Sequence, residues 1–167
     1  EATGKRKLLD IAVKNAECIY DRFVKQNTEG IPGHPEIELA LLRLYRLTEN
    51  KHFLELAKKF INERGKAPDF WARVAIKRSW CVWICEAWGI DFRLSAKPVR
   101  EQTEAVGHAV RAVYLYTGMA DLAAETEDKE LFAACRRLWE NIVHRKMYIT
   151  GGIGSTVQGE AFTVDYD

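Results

Sequence analysis

The sequence predicts an all-α fold of helical hairpins set around a ring, finished by a glycine-rich loop with a short β excursion. Three observations carry that expectation. Apolar residues recur with a spacing near 3.6 along most of the 167 residues. One template, T-x-x-x-x-[LF]-[LF]-x-x-[AC], appears at Thr3, Thr48 and Thr126. The helical periodicity then stops after Lys146, where Gly151, Gly152, Gly154 and Gly159 interrupt the chain.

In each copy of the template a Thr or nearby polar group can cap the incoming helix, and the paired large residues begin its buried stripe. The small residue one turn later lets a neighbouring helix approach. The copies lie 45 and then 78 residues apart. That is not the fixed period of a solenoid, and divergent hairpins around a ring fit it better.

In chain order, the spacing predicts helices over about 7–25, 35–48, 51–64, 101–124 and 129–146, with Gly118 expected to kink or split the fourth. Between residues 66 and 99 the pattern is mixed, and a short helix is expected there. Trp71, Trp80, Trp83 and Trp88, four of the five tryptophans, gather in this stretch with Cys81 and Cys85. Residues 147–150 could form a short strand, 151–159 form a loop, and 161–165 alternate as a strand would.

Composition excludes several classes of function. The chain is 47% hydrophobic and 29% charged with a net charge of +1, which offers no electrostatic footprint for nucleic acid or an anionic membrane surface. No stretch approaches the roughly 20 apolar residues of a bilayer span. Four cysteines in 167 residues are too sparse for a disulfide scaffold, which points to a reducing, cytoplasmic setting. The first residues, EATGKRKLLDIAV, contain no secretory signal and read as a turn between helices, so a preceding piece is expected.

Few positions invite chemistry. Gly151-Gly-Ile-Gly154 lacks the Lys-Ser/Thr of a phosphate loop and the third glycine of a dinucleotide site. A tight backbone path bringing a polar group against a ligand is the favoured alternative. Glu160, between Gly159 and Ala161-Phe162, has two readings. Apolar neighbours would raise its pKa and suit a general acid, whereas isolated loop carboxylates are commonly just solvated. By residue physics the second is favoured.

His34 and His108 each follow a glycine and would lie at or near the N-terminal half of a predicted helix. Each can be an internally hydrogen-bonded core histidine or a ligand contact, and for a single histidine the first is favoured. Cys81 and Cys85 share a helix face at i and i+4, yet a structural zinc site takes four ligands and no histidine is close in sequence. Buried free thiols are the better expectation there, and Cys18 and Cys135 read as packing residues.

Three motifs carry a resemblance: Gly33-His-Pro-Glu-Ile-Glu-Leu-Ala-Leu41, Pro98-Val-Arg-Glu-Gln-Thr-Glu-Ala-Val-Gly-His108, and Tyr148-Ile-Thr-Gly-Gly-Ile-Gly-Ser155 followed by Gly159-Glu-Ala-Phe162 and Asp165-Tyr-Asp167. In this order they resemble the β-L-arabinofuranosidase family of glycoside hydrolases, glycoside hydrolase family 127, over about residues 1–65 and 98–167. The resemblance implies an (α/α)6 barrel followed by β-sandwich domains, of which residues 1–167 would be an incomplete part. It implies exo-acting release of terminal β-L-arabinofuranose from a carbohydrate substrate, with retention of configuration.

The resemblance also implies that Glu160 is the general acid/base and that His34 and His108 bind the sugar. The nucleophile of that family is a zinc-bound cysteine. The resemblance puts its zinc ligands in a Glu-Thr-Cys motif after Asp167 and in cysteines further on, so no zinc is expected on these residues and the chain alone is expected to be inactive. Residues 66–97 depart from the family pattern: Arg93-Leu-Ser-Ala96 stands where an aromatic run ending in Ala-His is expected, so one wall of the pocket is expected to differ. An incomplete ring would also leave apolar helix faces unpaired, which can drive self-association. Two other classes remain open at this stage: a non-catalytic helical scaffold or binding module, and another helical-barrel sugar enzyme such as an epimerase or an unsaturated-uronide hydrolase.

Overall fold

The computed structural model describes residues 3–77, 89–157 and 159–167. Its helices are α1 (Lys7–Tyr20), α2 (Ile37–Thr48), α3 (Lys51–Glu63), α4 (Phe70–Lys77), α5 (Gly89–Phe92), α6 (Ala109–Thr126) and α7 (Lys129–Asn141), with a 3₁₀ turn at Val99–Glu101. A π-helical turn extends α1 through Asp21–Lys25 and another extends α7 through Ile142–Lys146, so both reach the ends their periodicity predicts.

α2 and α3 form one antiparallel hairpin and α6 and α7 another, with α2 and α3 both packed on α6 and α1 packed on α3. Their apolar stripes meet in one core that includes Leu41, Leu42, Phe53, Leu56, Phe60, Leu115, Met119, Leu131 and Leu138. This is an all-α arrangement of hairpins, in keeping with part of a helical barrel.

In the second and third copies of the template the capping group is the nearby polar residue rather than the Thr. Thr48 and Thr126 end the outgoing helices, their hydroxyls donating to the carbonyls of Leu44 and Leu122. Glu49 and Glu127 then take the left-handed conformation, with φ of 57° and 53°. The cap belongs to the next residue: Asn50 accepts from the backbone N–H of His52, and Asp128 from that of Leu131. In these two copies only the first of the large pair is sealed, Phe53 and Leu131 being fully buried while Phe132 is exposed; in the first copy Leu8 is itself exposed.

Four further expectations are corrected. The fourth helix begins at Ala109 rather than 101, because Gly107, at φ 76°, turns the chain so closely against Asp91 that an added Cβ would lie 2.0 Å from its carbonyl oxygen. Gly118 neither kinks nor splits α6. It is buried, and an added Cβ would lie 3.2 Å from Cβ of Glu38, so the missing side chain lets α2 approach. Among the described residues no strand forms at 147–150 or 161–165; the β excursion is a single antiparallel bridge between His108 and Ala161. Cys18 is exposed on α1 rather than packed, whereas Cys135 lies against the core with its thiol pushed up to about 11 by burial. Trp80, Cys81, Trp83, Cys85 and Trp88 lie outside the described residues.

Candidate active site

The start of α6 is the anchor. His108 is its N-cap, in an extended conformation, and its Nδ1 accepts the backbone N–H of Arg111 at 3.4 Å. That acceptor role leaves the ring proton on Nε2. Nε2 lies 3.3 Å from Oε2 of Glu160.

Glu160 is brought there by its backbone. The Ala109 N–H donates to the Glu160 carbonyl at 2.9 Å and the Phe162 N–H donates to the Gly107 carbonyl at 2.9 Å, the two bonds that make the bridge. Thr156 closes the loop beneath: its hydroxyl accepts from the Ala161 N–H at 2.8 Å. Gly154, at φ 73°, passes so near that an added Cβ would be 2.6 Å from Cβ of Ala109 and 3.0 Å from the Glu160 carbonyl. The tight path of the glycine run therefore serves contact within the chain at this point. Glu160 itself holds a positive φ of 44°, an unusual conformation for a residue with a side chain.

The carboxylate is not enclosed. Phe162 turns into the core, and the Glu160 side chain is 73% exposed, so Ala161 and Phe162 do not supply the apolar surroundings expected from the sequence.

His34 stands in the bend ahead of α2. Its ring lies 6.5 Å from that of His108 and 5.8 Å from that of Tyr114, both edge-on, and its Nδ1 is 3.9 Å from Glu36. Burial, then the charge of Arg111, holds its pKa below the ordinary value of 6.5, with Glu36 opposing. The three positions singled out in the sequence thus come from three separate segments, with His34 and Glu160 each close to His108.

Sequence reasoning missed the residues that frame them. The Phe92 ring packs edge-on against His108 at 5.3 Å, and the Arg111 guanidinium lies 4.5 Å over that same ring. Trp71, over which Arg93 is placed at 4.7 Å, sits against Gly33. Arg111 was visible in the Gly-His-Ala-Val-Arg run, one helical turn after His108. Phe92 and Trp71 lie where the apolar pattern is mixed, and nothing local marks them.

Among the described residues no group of three or more His, Cys, Asp or Glu is gathered closely enough to hold a metal ion. Cys18 and Cys135 sit on different helices, one exposed and the other with a raised thiol pKa, a poor thiolate. The described residues do not fit a zinc site. No described helix is long and apolar enough to cross a membrane.

Comparison with known proteins gives this arrangement its context. The family model for the β-L-arabinofuranosidase GH127 catalytic domain matches residues 1–167. A non-reducing end β-L-arabinofuranosidase from Bifidobacterium longum subsp. longum is 41% identical over the whole chain, which spans 26% of that protein's length. The crystal structure of a GH127 β-L-arabinofuranosidase from Geobacillus stearothermophilus T6 superposes with a TM-score of 0.89 at 45% identity, covering 99% of this chain and 26% of that one. A further GH127 β-arabinofuranosidase structure gives 0.79 at 43% identity, covering 99% of this chain and 24% of that one. The chain belongs to the β-L-arabinofuranosidase GH127 catalytic-domain family.

Proposed function

We propose that the complete protein is a retaining, exo-acting β-L-arabinofuranosidase that removes terminal L-arabinofuranose from arabinose-containing glycans in the cytoplasm. Residues 1–167 supply part of its catalytic barrel. Glu160 is the general acid/base, and His34 and His108 hold the terminal sugar. The observation that carries this reading is the approach of His108 Nε2 to Glu160 Oε2 at 3.3 Å, with the His34 ring 6.5 Å from that of His108.

A retaining hydrolysis needs one group to protonate the departing oxygen and a second to hold the sugar covalently. The geometry suits the first task. With Oε2 turned toward His108, a proton on Oε1 is free to pass to the glycosidic oxygen. The resulting carboxylate can then take a proton from the incoming water. Tyr114 and the two imidazoles offer donors and apolar edges suited to the hydroxyls and faces of a furanose ring. The second group and its metal are outside these residues, in keeping with the 26% share of the relatives' length.

In the complete protein Glu160→Gln is expected to lower kcat about 10²- to 10⁴-fold on glycosides with poor leaving groups. KM should stay within a few-fold, and activated aryl glycosides should be spared in the first step. Steady-state kinetics on both substrate types checks this; unchanged turnover would remove Glu160 from the role.

A further inference from the structure

Arg64 is fully buried, yet its charge is only loosely paired. It follows α3, and at the next residue Gly65, at φ 84°, the chain passes so close to the 97–98 backbone that an added Cβ would lie 2.0 Å from the Lys97 carbonyl oxygen. The guanidinium donates from Nη1 to the Arg93 carbonyl at 2.9 Å and from Nη2 to the Pro32 carbonyl at 2.8 Å. Its contact with Oε1 of the buried Glu38 is longer, 3.5 Å.

These partners are not scattered. Pro32 is two residues before His34, Arg93 is next to Phe92, whose ring meets His108, and Glu38 lies on α2, the helix that His34 precedes. One side chain therefore joins the segment carrying His34 to the segment bracing His108. Both segments are irregular at the points it holds, so no helix or sheet ladder fixes their separation. A planar guanidinium bonded at two of its nitrogens fixes direction as well as distance, which an ammonium on a flexible stem cannot do.

We propose that Arg64 is a positioning residue of the sugar site, setting the spacing between His34 and the Phe92–His108 wall through the carbonyls of Pro32 and Arg93. This rests on the reading of His34 and His108 as sugar contacts, and its test separates the two claims.

In the complete protein, Arg64→Lys keeps the charge beside Glu38 but loses the two-point tie. Glu38→Gln keeps both carbonyl bonds. Carbethoxylation of each histidine by diethyl pyrocarbonate, followed by peptide mass without sugar present, reads the tie directly. Arg64→Lys is expected to raise the His34 rate severalfold, with His52 and His144 unchanged, and Glu38→Gln to leave the His34 rate within twofold of the parent. In kinetics Arg64→Lys should raise KM about fivefold or more with kcat within twofold, as expected for misplaced binding groups rather than a smaller folded fraction. An unchanged His34 rate overturns the proposal. So does a parallel rise at His52 and His144, which would make Arg64 a support of the whole fold. His34→Ala with unaltered KM would instead remove His34 from sugar contact, while the modification rates still decide whether Arg64 holds it.

Discussion

Glu160 shows how little of a site's geometry resides in the residue proposed to perform its chemistry. Its own neighbours in sequence do not bury it, and its position comes from two backbone bonds to the start of α6 and from the absence of a side chain at Gly154. Gly154→Ala forces a Cβ against Ala109 and the Glu160 carbonyl at a positive φ, so it is expected to destabilise by more than about 1 kcal/mol. Thermal denaturation of the complete protein should show the loss, and turnover should fall further than stability explains because Glu160 shifts. The position was legible only in part. A glycine beside a ligand and a glycine beside another strand of backbone look alike in sequence, since both follow from the missing Cβ.

At the scale of elements, the junction between α6 and α7 is the best defined. Asp128 caps α7 through the Leu131 N–H at 2.9 Å and receives both guanidinium nitrogens of Arg100, at 2.7 and 3.0 Å. The hydrogen bonds from Arg100, then that from Leu131, hold its carboxyl below the usual range. A depressed carboxyl contributes stability that is present above about pH 4, the ordinary Asp value, and is lost as the pH falls through the lowered one. Asp128→Ala should therefore cost about 1 kcal/mol at pH 7 for the cap alone. Asp128→Asn, which keeps the cap and loses only a partly exposed ion pair, should cost less. Urea denaturation at pH 7 and pH 3 separates them: the gap between parent and Asn variant should narrow at the lower pH. The helix ends here were readable because capping and the αL turn depend on four consecutive residues, Thr-Glu-Asp-Lys. The start of α6 was not, since it is set by the contact of Gly107 with the distant Asp91 backbone.

For the whole molecule, the faces left open are as informative as the core. Leu8 and Ile11 on α1 are 81% and 57% exposed, and on the other flank Phe132 and Trp139 on α7 are 61% and 66% exposed. The second pair borders an apolar groove of about 590 Å³ that also includes Val113, Ile142 and Met147. A ring of hairpins would cover both flanks with its neighbours. The isolated 167-residue chain is expected to self-associate through them, and Trp139→Lys should weaken that association by about 2 kcal/mol, roughly thirtyfold in dissociation constant. Sedimentation velocity over a concentration series checks this; a chain that stays monomeric before the substitution would argue against it. The sequence by itself determined the helices, their hairpin pairing and the family, because apolar spacing, turn chemistry and short motifs are local properties. Only the tertiary structure decided that His34, His108 and Glu160 meet, that Phe92 and Arg111 frame them, and that Arg64 ties their supports together. Those contacts join residues 16 to 74 positions apart, and no local pattern encodes a distance that packing and buried hydrogen bonds impose.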